Sequence, residues 1–218
     1  MSGQPFTPAP EPPDECRLCP RLVAYREENR SAHPGWHNAP VRSFGDIGGR
    51  LLIVGLAPGL QGANRTARPF TGDYAGDLLY GTLIRFGFAQ GTYAARPDDG
   101  LVLRDALITN AVRCVPPQNR PLPAEIANCR AFLRGRVAAM PRLRVILALG
   151  RVAHESVVRI ADARLAEKPF IHGARHDFED WTLFDSYHCS RYNTNTGRLT
   201  RDMFEGVFAE ISRALDAA

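Results

Sequence analysis

Four of the five cysteines have a spacing that could hold a metal centre. Cys16 and Cys19 form a CxxC pair, which presents two thiols from one turn. Cys114 follows an apolar run, and Cys129 lies within residues 123–140, whose apolar side chains recur with helical spacing. Four thiolates suit either a zinc ion or an iron-sulfur cluster, and the spacing does not decide between the two. The alternative is that Cys114 and Cys129 are small buried apolar residues.

Polar side chains that could bind a ligand follow three of the predicted strands. The first set ends the stretch 53–73, which opens as an apolar run and then breaks into glycines, a proline and polar residues. The second set includes Asn110, where a buried amide without a partner would cost about 1 to 3 kcal/mol. The third set is the stretch 188–200, rich in Asn, Arg, Ser and Thr. Because ligands bind outside the carboxyl ends of parallel strands, we expect the active face there.

The glycines after the first strand do not form a nucleotide-binding loop. No Gly-Lys-Ser/Thr follows them, so there is no lysine for a γ-phosphate and no hydroxyl for magnesium. Their spacing also differs from that of the G-x-G-x-x-G dinucleotide motif. A loop of this length between a strand and a helix is uncommon unless it is functional, which favours a binding site over a plain connection.

The apolar pattern predicts the elements that must position these side chains. The predicted strands are residues 51–54, 106–114, 144–149 and 181–187, with an edge strand at 169–173. The predicted helices are residues 77–86, 123–140, 152–160 and a last helix capped by Thr200. Continuous apolar strands are typical of a parallel sheet. With 218 residues and 44% hydrophobic content, the chain has room for one α/β domain with a sizeable core.

The composition narrows the class of protein further. Residues 1–14 hold five prolines and few apolar side chains, so we expect a disordered arm there and a single domain over residues 15–218. No apolar run approaches the roughly 20 residues of a membrane helix, and no signal peptide is visible, which predicts a cytoplasmic protein without a membrane partner. The net charge of +4 favours an anionic partner. His33, His37 and His154 are expected at the surface.

Four features of the chain together resemble a known family. They are the four cysteines, the run GLAPG followed by NRTxRPFTGD, the strand LITNAVRCVPP and the closing stretch HCSRYNTNTGRLT. In this combination they resemble the uracil-DNA glycosylase superfamily, most closely the type B enzymes of family five, from Cys16 to the last helix. The resemblance implies a three-layer α/β/α sandwich around a central, mostly parallel sheet, here with four strands. It also implies an enzyme that excises deaminated bases from DNA.

The resemblance implies three catalytic residues. Asp73 matches the acidic residue of the type B enzymes and would orient and activate water. Family one carries its catalytic aspartate in the loop after the first strand, where this chain has Ala57. His188 would donate a hydrogen bond to the developing anion at the base carbonyl, and Asn119 matches a second polar residue near the water. Asp77 is predicted instead to cap the following helix.

The resemblance also implies the residues that bind the flipped nucleotide. Phe70 would stack on the base, although it could equally be a core residue, and the backbone around Gly55 and Ala57 would line the pocket. Asn110 is similar to the uracil-reading asparagine of family four, which predicts a stronger preference for uracil over hypoxanthine. Five residues are expected to contact DNA: Arg65, Ser190, Arg191, Tyr192 and Asn193. The ring of Tyr192 would either wedge into the gap left by the flipped base or lie flat on the surface.

Two further expectations concern the cofactor and the reaction. In the family, Cys16, Cys19, Cys114 and Cys129 would hold a structural 4Fe-4S cluster. Lys168 is the only lysine among 27 basic residues, so a Schiff base with the sugar has a single candidate. We therefore expect a monofunctional glycosylase that leaves an intact abasic site, and we expect a monomer.

Two hypotheses from other protein classes remain open. The first is a non-catalytic nucleic-acid-binding protein built around a four-cysteine zinc site. A colourless protein that is inactive on uracil-containing DNA would favour it, whereas a brown protein would indicate iron and sulfur. Electron transfer is a weaker reading, because the sequence offers no second redox site.

Overall fold

The computed structural model describes residues 9–217. The strands are β1 Phe44–Gly45, β2 Leu51–Gly55, β3 Ala89–Gln90, β4 Val102–Leu103, β5 Ala106–Asn110, β6 Val145–Leu149, β7 Arg175–Asp177 and β8 Thr182–Ser186. The helices are α1 Pro20–Ala32, α2 Ala63–Thr66, α3 Tyr74–Arg85, α4 Pro123–Ala138, α5 Arg151–Ile160, α6 Arg191–Asn195 and α7 Arg201–Asp216. Among these residues, no helix combines the length and the apolar character needed to cross a bilayer.

The main sheet has six strands in the order β1-β5-β2-β6-β8-β7. Strands β5, β2, β6 and β8 run parallel, whereas β1 and β7 pair antiparallel at the two edges. The register places Gly55, the last residue of β2, beside Asn110, the last residue of β5. The chain passes from β2 to β5 on one side and then returns to β6 on the other. This reversal opens a crevice at the carboxyl ends of the strands, where ligands bind in sheets of this kind.

Helices cover both faces of the sheet and form three layers. Helices α3 and α7 pack on one face through side chains such as Leu79 and Phe208. Helices α4 and α5 pack on the other face through side chains such as Leu133 and Val157. All residues of β2, β5 and β6 are buried, because the sheet is covered on both sides. The predicted α/β class with a central, mostly parallel sheet is confirmed.

Several predicted boundaries differ from the structure. The sheet has six strands and not four, because two short edge strands carry too little apolar pattern to be recognised. The second predicted strand ends at Asn110, so the chain leaves the sheet four residues before Cys114. The edge strand lies at Arg175–Asp177 and not at 169–173. Residues 191–195 form a short helix where a loop was expected.

The predicted N-terminal arm is only partly described. Residues 1–8 lie outside the described residues, so their disorder and the domain boundary stay predictions. Residues 9–14 are placed, since Glu11 forms ion pairs with Arg113 and Arg136. Both arginines are at least nine-tenths buried and need a carboxylate partner. Glu11 therefore ties the segment before Glu15 to the folded domain.

Candidate active site

A cavity of about 290 Å³, which we call the base pocket, opens at the carboxyl ends of β2, β5 and β8. Eight of the predicted site residues line it. They are Ala57, Phe70, Asp73, Asn110, Asn119 and His188, with Ser190 and Arg191 beside them. Its volume lies near the lower end of the range for ligand sites, roughly 300 to 1,000 Å³. The structure therefore brings the predicted catalytic residues together on one surface.

Asp73 is held at the start of helix α3. It is the N-cap residue, and its Oδ1 accepts a hydrogen bond of 3.2 Å from the backbone N–H of Ala75. The other carboxylate oxygen faces the backbone of the glycine-rich loop, where a Cβ atom on Gly62 would collide with Oδ2. A Cβ atom on Gly59 would lie 3.0 Å from the same oxygen. The capping role expected for Asp77 thus belongs to Asp73, and Asp77 is exposed in the first turn.

The electrostatic setting makes Asp73 a better proton acceptor than an exposed aspartate. Burial raises the pKa of Asp73, the N–H groups of Ala75 and Gly76 oppose this rise, and the nearby charge of Asp77 adds to it. A carboxylate with a raised pKa takes a proton from water more readily. Oδ1 accepts the capping hydrogen bond, and Oδ2 lies against the glycine-rich loop.

His188 and Phe70 form a contacting pair inside the base pocket. Their ring centroids are 5.7 Å apart and the rings are inclined by 25°. Burial lowers the pKa of His188 to about 4, so the imidazole is neutral near pH 7. The backbone carbonyl of His188 accepts a hydrogen bond of 2.8 Å from the amide of Asn193. A neutral imidazole can donate one hydrogen bond without carrying a charge.

Phe70 adopts an unusual backbone conformation. Its φ of +54° lies in the left-handed region, which is rare for a bulky residue and signals a position set by its surroundings. The ring is 94% buried, with 6% of its surface exposed, and it packs over Gly55. A Cβ atom on Gly55 would lie 2.6 Å from Cζ of Phe70 and would collide with Oδ1 of Asn110. Gly55 therefore makes room for both side chains.

Asn110 carries an oxygen without a hydrogen-bond partner. The residue is 3% exposed, and within the described part of the chain its Oδ1 has no donor. Buried amide oxygens are nearly always hydrogen-bonded, so an unpaired one on a residue that lines a cavity makes Asn110 a candidate for ligand contact. The sequence predicts that this residue either caps a loop or faces a ligand, and in the structure it lines the cavity wall.

Asn119 occupies the far wall, on the proline-rich stretch after β5. It lies at the end of a short 3-10 helix, Pro117–Asn119, and both Asn119 and its neighbour Gln118 have positive φ values of +56° and +55°. The residue is exposed and borders a second cavity lined by Gly150 and Arg151. Asparagine tolerates this conformation better than most residues.

The five residues expected to contact DNA lie in two groups. Ser190 caps helix α6, and Arg191 lies over the ring of Tyr74 at the pocket rim, 5.2 Å from the centroid. The ring of Tyr192 is 71% exposed beyond the rim. Arg65 is exposed near Gly72 and does not line the pocket. The amide of Asn193 supports the carbonyl of the preceding loop, so that side chain has a structural partner already.

A second cavity, the cysteine cavity, is lined by all four predicted metal ligands. They are Cys16, Cys19, Cys114 and Cys129. The other lining side chains are mostly apolar, such as Leu22, Val112 and Phe132. Within the described chain, no three of the four sulfur atoms lie within 4.8 Å of one another. A single zinc ion, with Zn–S bonds of about 2.3 Å, would draw its sulfurs closer together than that.

The thiols of the cysteine cavity are held in an unfavourable environment for ionisation. Burial raises the pKa of Cys114 to about 12 and that of Cys129 to about 11. The nearby backbone N–H of Arg113 donates a hydrogen bond of 3.3 Å to the sulfur of Cys129. Bound metal reverses such a rise, since coordination deprotonates a thiol outright. The donor set and its apolar lining fit a thiolate-bound group.

Some buried polar residues were not recognised in the sequence. His154 is not at the surface, because it is 1% exposed and its Nδ1 lies 2.8 Å from Asp185 Oδ1. His176 lies 3.2 Å from the other oxygen of Asp185. Arg68 pairs with Asp99 behind the base pocket. Asp185, a charged residue within the apolar run 181–187, was the sequence signal for the buried group that it forms with His154 and His176. No sequence pattern indicated the partner of Arg68.

Comparison with known proteins identifies the family of this α/β/α protein, whose pocket lies at the carboxyl ends of its strands. The family description "Uracil DNA glycosylase superfamily" matches residues 42–212. A type-5 uracil-DNA glycosylase of Thermus thermophilus is 45% identical over 91% of this chain and 93% of its own length. A type-5 uracil-DNA glycosylase of Pyrobaculum aerophilum is 40% identical over 85% of this chain and 82% of its own length.

A type-4 uracil-DNA glycosylase of Pyrobaculum aerophilum is more distant, at 33% identity over 70% of this chain and 64% of its own length. The crystal structure of wild-type Pedobacter heparinus SMUG2 superposes with a TM-score of 0.50 and 12% identity, over 99% of this chain and 94% of that one. This likeness supports the fold alone. The chain belongs to the uracil-DNA glycosylase superfamily, within its type-5 group.

Proposed function

We propose that the protein is a monofunctional uracil-DNA glycosylase that acts in base excision repair. The observation that carries this proposal is the base pocket, where Asp73 and His188 line one cavity beside the unpaired oxygen of Asn110. A nucleobase inside a duplex cannot reach such a pocket, so the nucleotide must be flipped out of the stack. The names of the relatives support the same reaction.

Excision breaks the N-glycosidic bond between C1′ of the sugar and N1 of uracil. The electron pair of that bond leaves with the base, so positive charge develops on the sugar and negative charge on the uracil ring. Asp73 accepts a hydrogen bond from a water molecule, orients it toward C1′ and receives its proton as the C–O bond forms. Asn119, which lines the same cavity, is proposed to hold the same water.

His188 stabilises the departing base. The imidazole is neutral near pH 7, and its N–H donates a hydrogen bond to the uracil oxygen where negative charge develops. Because the ring is neutral, it adds no positive charge close to the developing positive charge of the sugar. Phe70 offers its ring as a stacking surface. The uracil anion then takes a proton from solvent and leaves an intact abasic site.

Asn110 is proposed to read the base. Its amide has a donor and an acceptor, and a uracil edge offers the complementary pair, which would satisfy the orphan oxygen of the free protein. We propose a preference for uracil with weaker excision of hypoxanthine and other deaminated bases. In Asn110→Ala the ratio of uracil to hypoxanthine excision should fall, because the amide that distinguishes them is gone. An unchanged ratio would refute this role.

The cysteine cavity is proposed to hold a 4Fe-4S cluster with a structural role. Such a cluster would link the N-terminal segment, the loop after β5 and helix α4, where the four cysteines lie. The four cysteines that line this cavity are the donor set such a cluster takes, and the mainly apolar lining supports the proposal. Purified protein with broad visible absorption would support the cluster. A colourless protein with stoichiometric zinc would overturn it.

The decisive test of the reaction compares two aspartates four residues apart. Wild-type protein should release uracil from a duplex that contains a U·G pair, and Asp73→Asn should slow single-turnover release by about 10² to 10⁴-fold, the usual loss of a general base. Asp77→Asn, at an exposed position, is the matched control and should stay near the wild-type rate. Equal rates for both variants would contradict the proposed role of Asp73.

The product should be an abasic site and not a strand break. Lys168 donates to the carbonyl of Asp177 and does not line the base pocket, so it is poorly placed for a Schiff base. Strand cleavage without added base, lost in Lys168→Ala, would contradict a monofunctional enzyme. A monomeric state and a cytoplasmic location stay predictions.

A further inference from the structure

A buried ion pair lies behind the stacking ring of the base pocket. Nη1 and Nη2 of Arg68 donate to the two oxygens of Asp99, each at 2.8 Å. The side chains are 5% and 1% exposed, so the pair is shielded from water. Arg68 stands two residues before Phe70, and neither charged residue lines the base pocket. The pair is therefore not a substrate contact.

Asp99 also organises the loop that carries Tyr93. Its oxygens accept hydrogen bonds from the backbone N–H groups of Ala94 at 2.9 Å and Leu101 at 3.1 Å. The guanidinium of Arg68 holds the pKa of Asp99 well below its usual range. The same guanidinium lies 5.8 Å from the ring centroid of Tyr93. A single carboxylate thus connects the loop to the segment before Phe70.

Two tyrosine hydroxyls fix the backbone at the stacking ring. Tyr93 donates to the carbonyl of Phe70 at 3.0 Å, and Tyr80 donates to the carbonyl of Pro69 at 2.6 Å. Nε of Arg68 donates to the hydroxyl of Thr71 at 2.7 Å. The chain is therefore held by hydrogen bonds before, at and after Phe70. These bonds explain how a bulky residue persists at a positive φ.

The first turn of α3 is packed against the same point. A Cβ atom on Gly76 would collide with both the carbonyl oxygen of Phe70 and the hydroxyl of Tyr93. Helix α3 begins at Tyr74, directly after its cap Asp73. The same hydrogen-bonded stretch of backbone therefore positions both the ring of Phe70 and the carboxylate of Asp73.

We propose that three residues outside the pocket are positioning residues for base stacking. They are Arg68, Asp99 and Tyr93. They hold Phe70 in its left-handed conformation, so that the ring faces the base without rearrangement during binding. This inference rests on the proposed uracil-excising function.

Inhibition by free uracil tests the proposal, because the free base needs the stacking ring and no DNA backbone contact. In Tyr93→Phe the hydroxyl that holds the Phe70 carbonyl is removed, and we expect uracil to inhibit ~tenfold more weakly, the effect of one hydrogen bond. Affinity for a duplex with an abasic site should change by less than about twofold, since phosphate contacts dominate it. Tyr25→Phe, away from the pocket, is the control.

Asp99→Asn provides the second variant, with Asp98→Asn as its matched control. Asp99 is buried, whereas the side chain of Asp98 is 78% exposed and pairs weakly with Arg96 at 3.7 Å. We expect weaker uracil inhibition only in the first variant. Should Asp99→Asn fail to fold, Tyr93→Phe alone decides.

Two results would overturn the inference. One is unchanged uracil inhibition in Tyr93→Phe. The other is an equal loss of affinity for uracil and for the abasic-site duplex, which would indicate a general loss of structure. Either result in an active wild-type enzyme leaves the proposed function intact. A wild-type protein that releases no uracil would remove the function itself.

Discussion

The base pocket and the cysteine cavity are built in different ways, although they are neighbours: Ala57 lines the base pocket and packs against the apolar cluster that contains Cys129. The base pocket takes its shape from backbone: glycines leave room for Asp73 and Phe70, and a helix cap holds the carboxylate before any substrate arrives. The cysteine cavity brings four side chains together among apolar residues that disfavour thiolates. The base pocket has its shape before a ligand binds, whereas the cysteine cavity needs a bound metal centre to stabilise its thiolates.

This contrast predicts that the two sites control different properties. Near pH 7, changes in the base pocket should act chiefly on the rate of excision, because its polar groups interact with the reacting base. Changes in the cysteine cavity should act on the free energy of unfolding, because a bound group links distant segments only in the folded protein. Three experiments would break or sharpen this division.

The largest effect is expected from removal of one thiol. Cys114→Ala should lose the visible absorption and lower the unfolding temperature by on the order of 10 °C, since each kcal/mol corresponds to about 2 to 4 °C at this chain length. Cys189→Ala is the control, because Cys189 is buried beside His188 and does not line the cysteine cavity. An unchanged unfolding temperature with a rate as low as that of Asp73→Asn would reverse the assignment of the two sites.

The second effect concerns pH and the stability of the base pocket. The pKa of His188 is lowered to about 4 in the folded protein, below its ordinary value of 6.5, so the unfolded chain binds the proton first. Stability from this residue is complete above pH 6.5 and is lost as the pH falls toward 4, by up to about 3 kcal/mol. The unfolding free energy of His188→Gln, measured by denaturant at pH 7 and 4.5, should therefore change less than that of the wild type.

Exposed His33 provides the control for that measurement. His33→Gln should keep the pH dependence of the wild type. If His188→Gln keeps it as well, the imidazole is solvated in the folded protein and the enclosed character of the base pocket is wrong.

The smallest effect is expected from one added methyl group. Gly62→Ala should slow uracil release by roughly tenfold, because its Cβ collides with Oδ2 of Asp73 and shifts the carboxylate, and small misplacements of a catalytic group are costly. Gly81→Ala lies within α3 with no neighbouring atom within 4 Å, and should instead stabilise the protein by about 0.5 to 1 kcal/mol. Single-turnover rates that do not differ between the two variants would show that Asp73 tolerates displacement.

Much of the fold could be predicted because its cause is local. The runs that became β2, β6 and β8 are apolar over most of their length, and a buried strand is recognised from its own residues. Helix α7 begins after Thr200 as expected, since a capping hydroxyl acts within one turn. The short edge strands β1 and β7 were missed or misplaced, because their pairing depends on a neighbouring strand and not on their own pattern.

The candidate site divides in the same way. The sequence by itself determined which residue types were present at the strand ends, and the resemblance carried by those motifs pointed to Asp73, His188 and Asn110. Only the tertiary structure decided that Asp73 and His188 line one cavity, that His154 is buried against Asp185, and that Arg68 meets a carboxylate 31 positions away. Periodicity and capping act over a few residues, whereas these partners meet only after distant segments have packed.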